Sequence, residues 1–289
     1  MVESKSTTEK SIKSVLLSVF TSSHLSRSCG TWVAVGWGGQ IMWAEYSTTF
    51  ANLPRPRLEI MGRRETKARR DQMAQSGHKG IAMNGMIAHW YAKTTAHDLE
   101  EFQALAERIK TQLSGVQDIL EVAPGPGYLS LELARESRLY VTGVDISPTF
   151  VDIARKNAEE RQLSASFVEG NAAAMPFHDG AFDFIVCRAA FKNFSQPLQA
   201  LNEFYRVLRP GGWALIIDLR RDVGLKEIRD YVKNMRLPPL RALFTVNGLK
   251  QLRRWAYSPG QIEQMAANSR FSGYHLDVAA MDFQLKLLK

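Results

Sequence analysis

The chain has 289 residues, enough for one large domain with a sizeable core, and it is 45% hydrophobic and 23% charged, as globular proteins are. Its only cysteines, Cys29 and Cys187, argue against a disulfide scaffold or a cysteine-based zinc site, so we expect no metal and favour a cytoplasmic protein. The net charge of +8 would suit an acidic partner, but the basic residues are spread along the chain. Most of them are therefore predicted to be solvated, which argues against nucleic acid as a partner.

Residues 1–60 differ from the rest of the chain. Their first half is rich in serine and threonine and faintly resembles a mitochondrial targeting sequence, although Glu3 and Glu9 count against that interpretation. Their second half combines tryptophans with glycines, shows no period of 3.6 or 2, and is a poor membrane span because of its glycines and Glu45. We predict that 1–60 is a poorly ordered extension, or one that lies outside the working domain.

Residues 61–117 are predicted to form a helical cover that precedes the first strand. A basic run from Arg63 to Arg70 opens this region and favours a solvated helix face or linker over contact with an anionic partner. One helix is predicted from Asn84, with an apolar side formed by Met86, Ile87, Trp90 and Tyr91. A second is predicted over 95–113, with a stripe at helical spacing formed by Leu99, Phe102, Leu105, Ala106 and Ile109. Helices in this position would cover a site at the strand tips.

From Asp118 onward, apolar strands alternate regularly with helices. The strands are predicted at 119–122, 139–144, 166–169, 182–187 and 213–219. The helices between them are predicted at 128–135, 147–160 and 197–208, the last closed by the turn Arg209-Pro-Gly-Gly212. This pattern is typical of a parallel sheet covered on both faces, in which ligands bind at the carboxyl ends of the strands.

The first strand and the first helix of this series are joined by Ala-Pro-Gly-Pro-Gly, residues 123–127. A glycine turn between a strand and a helix forms a cradle for a nucleotide or an anion, because backbone N–H groups at the helix start face the ligand. The dinucleotide fingerprint requires a glycine at position 130, where the chain has Ser130. A phosphate loop of the Walker type is excluded because no Gly-Lys-Ser/Thr follows.

Five motifs occur in order and at suitable spacing, and together they resemble the class I S-adenosylmethionine-dependent methyltransferases. They are Glu121-Val-Ala-Pro-Gly-Pro-Gly127, Asp145-Ile-Ser147, Gly170-Asn-Ala172, Phe182-Asp-Phe-Ile-Val186 and Arg206-Val-Leu-Arg-Pro-Gly-Gly212. The likeness covers about residues 80–289 and is greatest to the small-molecule branch with ubiquinone- and menaquinone-type and natural-product enzymes. It implies an α/β, Rossmann-like, doubly wound and mostly parallel seven-stranded sheet with an antiparallel last strand, N-terminal covering helices and a helical lid after the fifth strand.

The resemblance also implies where S-adenosyl-L-methionine binds. The turn at Gly125 and Gly127 would admit the methionyl end, and Asp145 would accept hydrogen bonds from both ribose hydroxyls. Ile146 would pack on the adenine, whose edge Asn171 would read together with the backbone N–H of Ala172. The full expected set is Tyr91, Glu121, Ala123, Pro124, Gly125, Gly127, Asp145, Ile146, Asn171, Ala172 and Arg188.

Four members of this set have less direct roles. Glu121 would order the glycine loop from below, and Ala123 stands where many relatives have glycine. Tyr91 would reach the cofactor carboxylate or simply belong to the core. Arg188 would hold that carboxylate or an anion on the substrate.

Two residues are candidates for catalysis. Lys192 lies just after the fourth strand, where relatives frequently have a histidine pair at the positions of Lys192 and Asn193, and it would bind an acidic acceptor or act as a base if its pKa were strongly lowered. An exposed loop lysine is the alternative for this position. His89, on the covering helix, is a further candidate base, whereas His178 is expected at the surface.

After the fifth strand, residues 220–257 form a basic, helical segment split by Pro238-Pro239, and the resemblance makes it a substrate lid with an apolar face. A short helix from Ser258 to Ala267 follows, and then the last two strands at 274–278 and 283–288, expected to pair antiparallel at the sheet edge. Phe191 and Phe194 beside the lid favour an apolar or aromatic acceptor.

We therefore predict an enzyme that transfers a methyl group from S-adenosylmethionine to oxygen, nitrogen or carbon of a small molecule, such as a secondary metabolite or a quinone-like compound. An RNA or protein methyltransferase is the alternative within the class, and a non-catalytic regulatory module that binds S-adenosylmethionine is the alternative outside it. The expected division is 1–60 as an extension, 61–117 as the helical cover and 118–289 as the methyltransferase domain. A homo-oligomer is compatible with the sequence.

Overall fold

The chain forms two compact units, residues 1–57 and 58–289, and the computed structural model describes residues 31–37, 40–46, 77–79 and 83–289. In the first unit, strands β1 (Thr31–Trp37) and β2 (Gln40–Tyr46) pair antiparallel, with Thr31 opposite Tyr46. The sequence did not predict this hairpin, because its apolar residues do not alternate, although Gly-Gly at 38–39 is a pair that hairpin loops favour. The predictions for the rest of 1–60 and for the basic run 63–70 lie outside the described residues.

The second unit is built on a seven-stranded sheet. Its strands are β3 (Asp118–Val122), β4 (Tyr140–Asp145), β5 (Ala165–Glu169), β6 (Phe182–Arg188), β7 (Leu208–Leu219), β8 (Gly273–Val278) and β9 (Asp282–Leu288). They lie in the order β5-β4-β3-β6-β7-β9-β8. Strands β3 to β7 are parallel, and β9 pairs antiparallel with both of its neighbours. The Rossmann-like sheet expected from the motifs is confirmed.

Eight α-helices surround this sheet in the described part of the chain. They are α1 (Gly85–Thr95), α2 (Leu99–Lys110), α3 (Tyr128–Leu133), α4 (Pro148–Glu160), α5 (Pro197–Val207), α6 (Leu225–Asn234), α7 (Pro239–Leu252) and α8 (Pro259–Ala267). One buried cluster includes Leu120 of β3, Phe204 of α5 and Ile262 of α8. A second buried cluster includes Ile119, the strand residue just before Leu120, together with Ile109 of α2 and side chains of α3. Since neighbouring strand residues point to opposite faces, helices cover both sides of the sheet, as predicted.

The buried side of α1 differs from the predicted one. Met86 and Trp90, assigned to its apolar face, are 89% and 65% exposed, whereas Ala88 and Ala92 are buried. Of the four predicted residues, Tyr91 is the one that turns inward, and its ring meets Phe150 of α4 edge-on at 5.8 Å. The small alanine side chains let the helix backbone come close to the domain, where the Tyr128 hydroxyl donates to Ala92 O at 2.9 Å. Size, rather than hydrophobicity, decides this contact face.

Strand β7 begins earlier than predicted. Leu208 pairs with Phe182, and the next register pair joins Trp213 to Phe184, so residues 209–212 form a bulge instead of a turn that ends α5. Gly211, with φ +79°, lies in this bulge. The pairing with β6 resumes after the extra residues, so they interrupt the strand register without ending the strand.

The expected lid consists of α6 and α7, separated at Pro238 as the sequence predicted. No side chain of α7 is fully buried: Val246 and Leu249 pack partly against Val223, Ile228 and Met281, whereas Leu240, Leu243 and Phe244 are exposed. Among the described residues, no helix is both long enough and apolar enough to cross a membrane.

Candidate cofactor and acceptor site

The glycine loop joins β3 to α3 at the carboxyl edge of the sheet. Its backbone enters the left-handed region three times, at Ala123 (φ 57°), Gly125 (φ 55°) and Gly127 (φ 81°). A Cβ on Gly127 would lie 2.9 Å from Phe167 Cζ and 3.0 Å from Ala154 Cβ. Glycine at 127 is therefore required both by conformation and by the close packing of the loop on the domain.

Asp145, at the end of β4, is tied to this loop. Its buried carboxylate accepts from Gly125 N at 3.0 Å and from Ser147 N at 2.8 Å. Burial raises the pKa of Asp145 to about 6, although hydrogen bonds from the Ser147 and Gly125 backbone oppose the rise. The glycine loop and the Asp145 carboxylate, which the sequence predicts to bind the same ligand, are therefore in direct contact.

Glu121 lies beneath the loop and is also buried. It accepts a hydrogen bond from the hydroxyl of Ser130, the residue that departs from the dinucleotide fingerprint. Burial raises the pKa of Glu121 to about 7, despite the opposing hydrogen bonds from Ser130. The serine at 130 thus connects α3 to β3.

Ile146 and Asn171 lie next to each other at the ends of β4 and β5. Asn171 Oδ1 accepts from Ala173 N at 2.9 Å, and Ala172 packs against the core beside them. The backbone of Gly77 lies directly on this pair, since a Cβ there would be 2.5 Å from Ile146 Cδ1 and 2.7 Å from Asn171 Nδ2. No sequence pattern predicts this approach, because Gly77 is distant along the chain and precedes the first predicted helix.

Tyr91 and Arg188 complete the loop surroundings, with Pro124 packed near Gly143. A Cβ on Gly125 would lie 4.0 Å from Tyr91 Cε1, and burial raises the pKa of Tyr91. The Arg188 guanidinium lies 4.5 Å from the Phe102 ring centroid and 3.4 Å from Glu101 Oε2. Tyr91 on α1 thus reaches the glycine loop, whereas Arg188 lies at the end of β6, the strand next to β3, and contacts α2.

Lys192 has a buried ion pair. Its Nζ donates to Asp218 Oδ1 at 2.8 Å and to Ala189 O, and its backbone N donates to Asp218 Oδ2 at 2.8 Å. The side chains of Lys192 and Asp218 are 6% and 1% exposed, so this lysine is not the exposed loop residue that was the alternative. Its ammonium group already has an anionic partner.

The two histidines named from the sequence lie at the surface. His89 is exposed on α1, and its Nδ1 is 3.0 Å from Gly85 O of the same helix. His178 is exposed in the turn before β6, as expected, with its Nδ1 3.0 Å from Asp179 O. A catalytic role for His89 stays a prediction without a site contact to support it.

An aromatic cluster lies at the carboxyl ends of β6 and β7. The ring of Phe191 is 5.4 Å from that of Phe194 and 5.9 Å from that of Tyr257. The segment 77–79 crosses this cluster, with His78 bridged to Phe194 and Lys79 N donating to Asn193 O at 2.7 Å. Sequence reasoning named both phenylalanines but missed Tyr257 and Lys79, which tertiary contacts alone bring to this edge.

The doubly wound sheet with a glycine loop, a strand-end aspartate and a strand-end asparagine defines a nucleotide-cofactor protein. The family described as "methyltransferase domain" matches residues 120–216. The demethylmenaquinone methyltransferase of Chlorobaculum tepidum is 34% identical over 172 residues, which cover 58% of this chain and 67% of the relative. The enzyme of the same name from Deinococcus radiodurans is 32% identical over 175 residues, covering 57% and 70%.

A solved structure supports the same fold. The putative S-adenosylmethionine-dependent methyltransferase of Methanococcus maripaludis has a TM-score of 0.58 at 21% identity, over 73% of this chain and 95% of that one. The chain belongs to the class I S-adenosylmethionine-dependent methyltransferases, in the branch that methylates small molecules. Its methyl donor is S-adenosylmethionine.

The site residues fit this cofactor. A Cβ built on Gly125 would meet no atom closer than the Tyr91 ring edge. The loop therefore leaves room for a ligand against its backbone. The buried Asp145 carboxylate is an acceptor of the kind that two hydroxyl donors require. The bound cofactor supplies an electrophilic methyl group on a sulfonium.

Proposed function

We propose that this chain methylates an aromatic, quinone-like small molecule. Two relatives that it covers by two thirds or more are demethylmenaquinone methyltransferases by name. The observation that carries the proposal is the partly exposed ring of Tyr257 at the carboxyl ends of β6 and β7, which packs on Phe191, while Phe191 and Phe194 are themselves buried in the core.

The cofactor would lie along the carboxyl ends of β3, β4 and β5. In this arrangement Asp145 accepts from the ribose hydroxyls, and Ile146 and Asn171 contact the adenine at the side that Gly77 does not cover. Tyr91 and Arg188 face the methionyl end, where Arg188 offers a cation to its carboxylate. The geometry that supports these roles is the closeness of the Asp145 carboxylate to Gly125 N and of Gly77 to Ile146 and Asn171.

The transfer is an in-line displacement, so positioning of the acceptor provides much of the acceleration. Lys192 would serve by holding the turn after β6 in place, since Asp218 binds both its side chain and its backbone N. The exposed Leu240, Leu243 and Phe244 of α7 would cover an apolar acceptor when the lid closes.

Cofactor binding is tested by thermal unfolding with S-adenosylmethionine or S-adenosylhomocysteine. Both should raise the Tm of the wild type, and Asp145→Ala should abolish the shift because the ribose loses its acceptor. The exposed Asp152→Ala in α4 is the matched control and should keep the full shift. A folded wild type without any shift would overturn both the methyltransferase and the regulatory-module functions.

The acceptor is tested by transfer of labelled methyl groups to separated fractions of a cell extract. Label should appear in lipophilic aromatic small molecules, and the Asp145→Ala variant should transfer none. Label in RNA or protein would instead support the alternative acceptors. Cofactor binding without transfer to any fraction would leave the regulatory module as the better description.

A further inference from the structure

Lys79 is a partly buried cation beside the aromatic cluster. Its Nζ donates to the Tyr257 hydroxyl and lies 4.6 Å from the centroid of that ring. Within 77–79 and 83–289, no carboxylate forms an ion pair with it, in contrast to Lys192, which is paired with Asp218. A partly buried ammonium group that lacks a counter-charge favours an anionic ligand.

Three separate parts of the chain hold this group in place. Lys79 N donates to Asn193 O at 2.7 Å, which fixes the segment 77–79 to the turn after β6. Arg221 N donates to Tyr257 O at 3.0 Å, and Tyr257 is bridged to Arg220 at the end of β7. The ammonium and the phenol hydroxyl therefore meet at the ends of β6 and β7, and β6 is the neighbour of β3, which carries the glycine loop.

We propose that Lys79 and Tyr257 bind the ionised hydroxyl of the acceptor, a phenolate or hydroxyquinone anion whose ring lies over Tyr257. Lys79 Nζ has three N–H groups, of which one is donated to Tyr257 and none to any other residue within 77–79 and 83–289, so it can also donate to an oxyanion. This inference rests on the proposed function, because it takes the acceptor to be an aromatic small molecule. It adds the polar group of the acceptor and the residues that recognise it.

The charge balance of the transfer is simple. The acceptor hydroxyl releases its proton to solvent before reaction, and the electron pair left on oxygen attacks the methyl carbon directly or through a ring carbon. The bond between methyl and sulfur breaks with its pair going to sulfur, which becomes a neutral thioether. After attack through carbon, that ring carbon loses its proton to solvent, and Lys79 and Tyr257 keep their protons throughout.

The test uses 4-nitrophenol, whose phenolate is coloured, and nitrobenzene, which has the same ring without a hydroxyl. Both are titrated into the full chain saturated with S-adenosylhomocysteine. Bound 4-nitrophenol should ionise about one pH unit below the free compound, which corresponds to about tenfold preference for the anion. Lys79→Met should lose this tenfold preference and leave nitrobenzene binding unchanged, whereas Lys79→Arg should keep most of it. Tyr257→Phe, which keeps the ring, should lose part of it.

Lys286→Met is the matched control, since Lys286 also lies over an aromatic ring, Trp213, at 4.3 Å but in the sheet. It should behave as the wild type. The inference is overturned if the wild type does not bind 4-nitrophenolate, if Lys79→Met binds it equally well, or if that variant loses nitrobenzene to the same extent. Stabilisation by S-adenosylhomocysteine reports separately on the proposed function, so a failure of one is distinguishable from a failure of the other.

Discussion

Glu121 is a carboxyl group in a setting that favours its neutral form. It is buried beneath the glycine loop and its pKa is raised from 4.5 to about 7, first by burial. Because the folded state then holds the proton more tightly than the unfolded state, the free energy of unfolding falls as pH rises from about 4.5 to about 7 and is level above. Asp145, with its pKa raised to about 6, adds to the wild-type slope in the same direction.

The substitution Glu121→Gln isolates the contribution of Glu121 to the pH dependence of the unfolding free energy. Relative to the variant, the wild type should lose up to about 3 kcal/mol of unfolding free energy between pH 4.5 and pH 8. Urea unfolding of both proteins over this range, without cofactor, measures the difference. Glu263→Gln on α8, where the carboxylate is exposed, is the control and should run parallel to the wild type. Parallel curves for Glu121→Gln as well would show that Glu121 titrates normally in the folded state.

Single residues differ in how far the sequence reveals them. Asp145 and Asn171 follow strand ends, so the strand pattern alone places them at one edge. No sequence pattern predicts where Lys79 lies, because its position depends on a backbone hydrogen bond to Asn193, 114 residues away. The buried ion pair of Lys192 was likewise not predictable, since its partner Asp218 lies in the next strand, β7.

At the scale of elements, the turn after β6 depends on the ion pair of Lys192 and Asp218. Lys192→Met would leave a buried carboxylate with only the backbone N–H groups of residues 192 and 219 as donors. We expect a loss of about 3 to 5 kcal/mol in unfolding free energy, measured by urea unfolding. The double variant Lys192→Met with Asp218→Asn should recover part of the loss, because no charge is then left unpaired. A single-variant loss below about 1 kcal/mol would contradict a structural role for the pair.

Element types were predictable where two signals agreed. The strands and helices from Asp118 to Ala267 have apolar periodicity together with caps, such as Ser147 before Pro148, whose hydroxyl accepts from Phe150 N. The orientation of α1 was not predictable, because alanines carry little hydrophobic signal and yet allow the closest packing. The bulge at 209–212 was read as a turn, since Pro-Gly-Gly has the same composition in either setting.

At the scale of the whole molecule, the two edges of the sheet that are formed by the carboxyl ends and by the beginnings of its parallel strands have different roles. The carboxyl edge carries the glycine loop, Asp145 and the aromatic cluster. The opposite edge carries an ion network in which Arg209 donates to Asp118 at 2.9 Å and to Asp183 at 2.6 Å, joining the beginnings of β3, β6 and β7. Burial alone would raise the pKa of Asp183, but hydrogen bonds from two backbone N–H groups and from Arg209 lower it overall. This network joins three strands at the end of the sheet opposite to the glycine loop and Asp145.

The substitution Arg209→Met therefore separates stability from binding. Because the Arg209 side chain is 41% exposed, solvent screens the pairs, and we expect a loss of only about 1 kcal/mol at neutral pH, or about 2 to 4 °C in Tm. Since the folded pKa of Asp183 is lowered, its contribution to stability is present above the unfolded pKa of about 4 and is lost as pH falls. The difference in stability between variant and wild type should therefore shrink towards pH 3.

Lys226→Met, which removes a pair at 3.9 Å from an exposed helix face, is the control and should leave Tm unchanged. The dissociation constant for S-adenosylhomocysteine should stay within about twofold of the wild type in both variants, because the network lies at the far ends of the strands from Asp145. A marked loss of cofactor affinity in Arg209→Met would show that strain at one edge reaches the other through the strands.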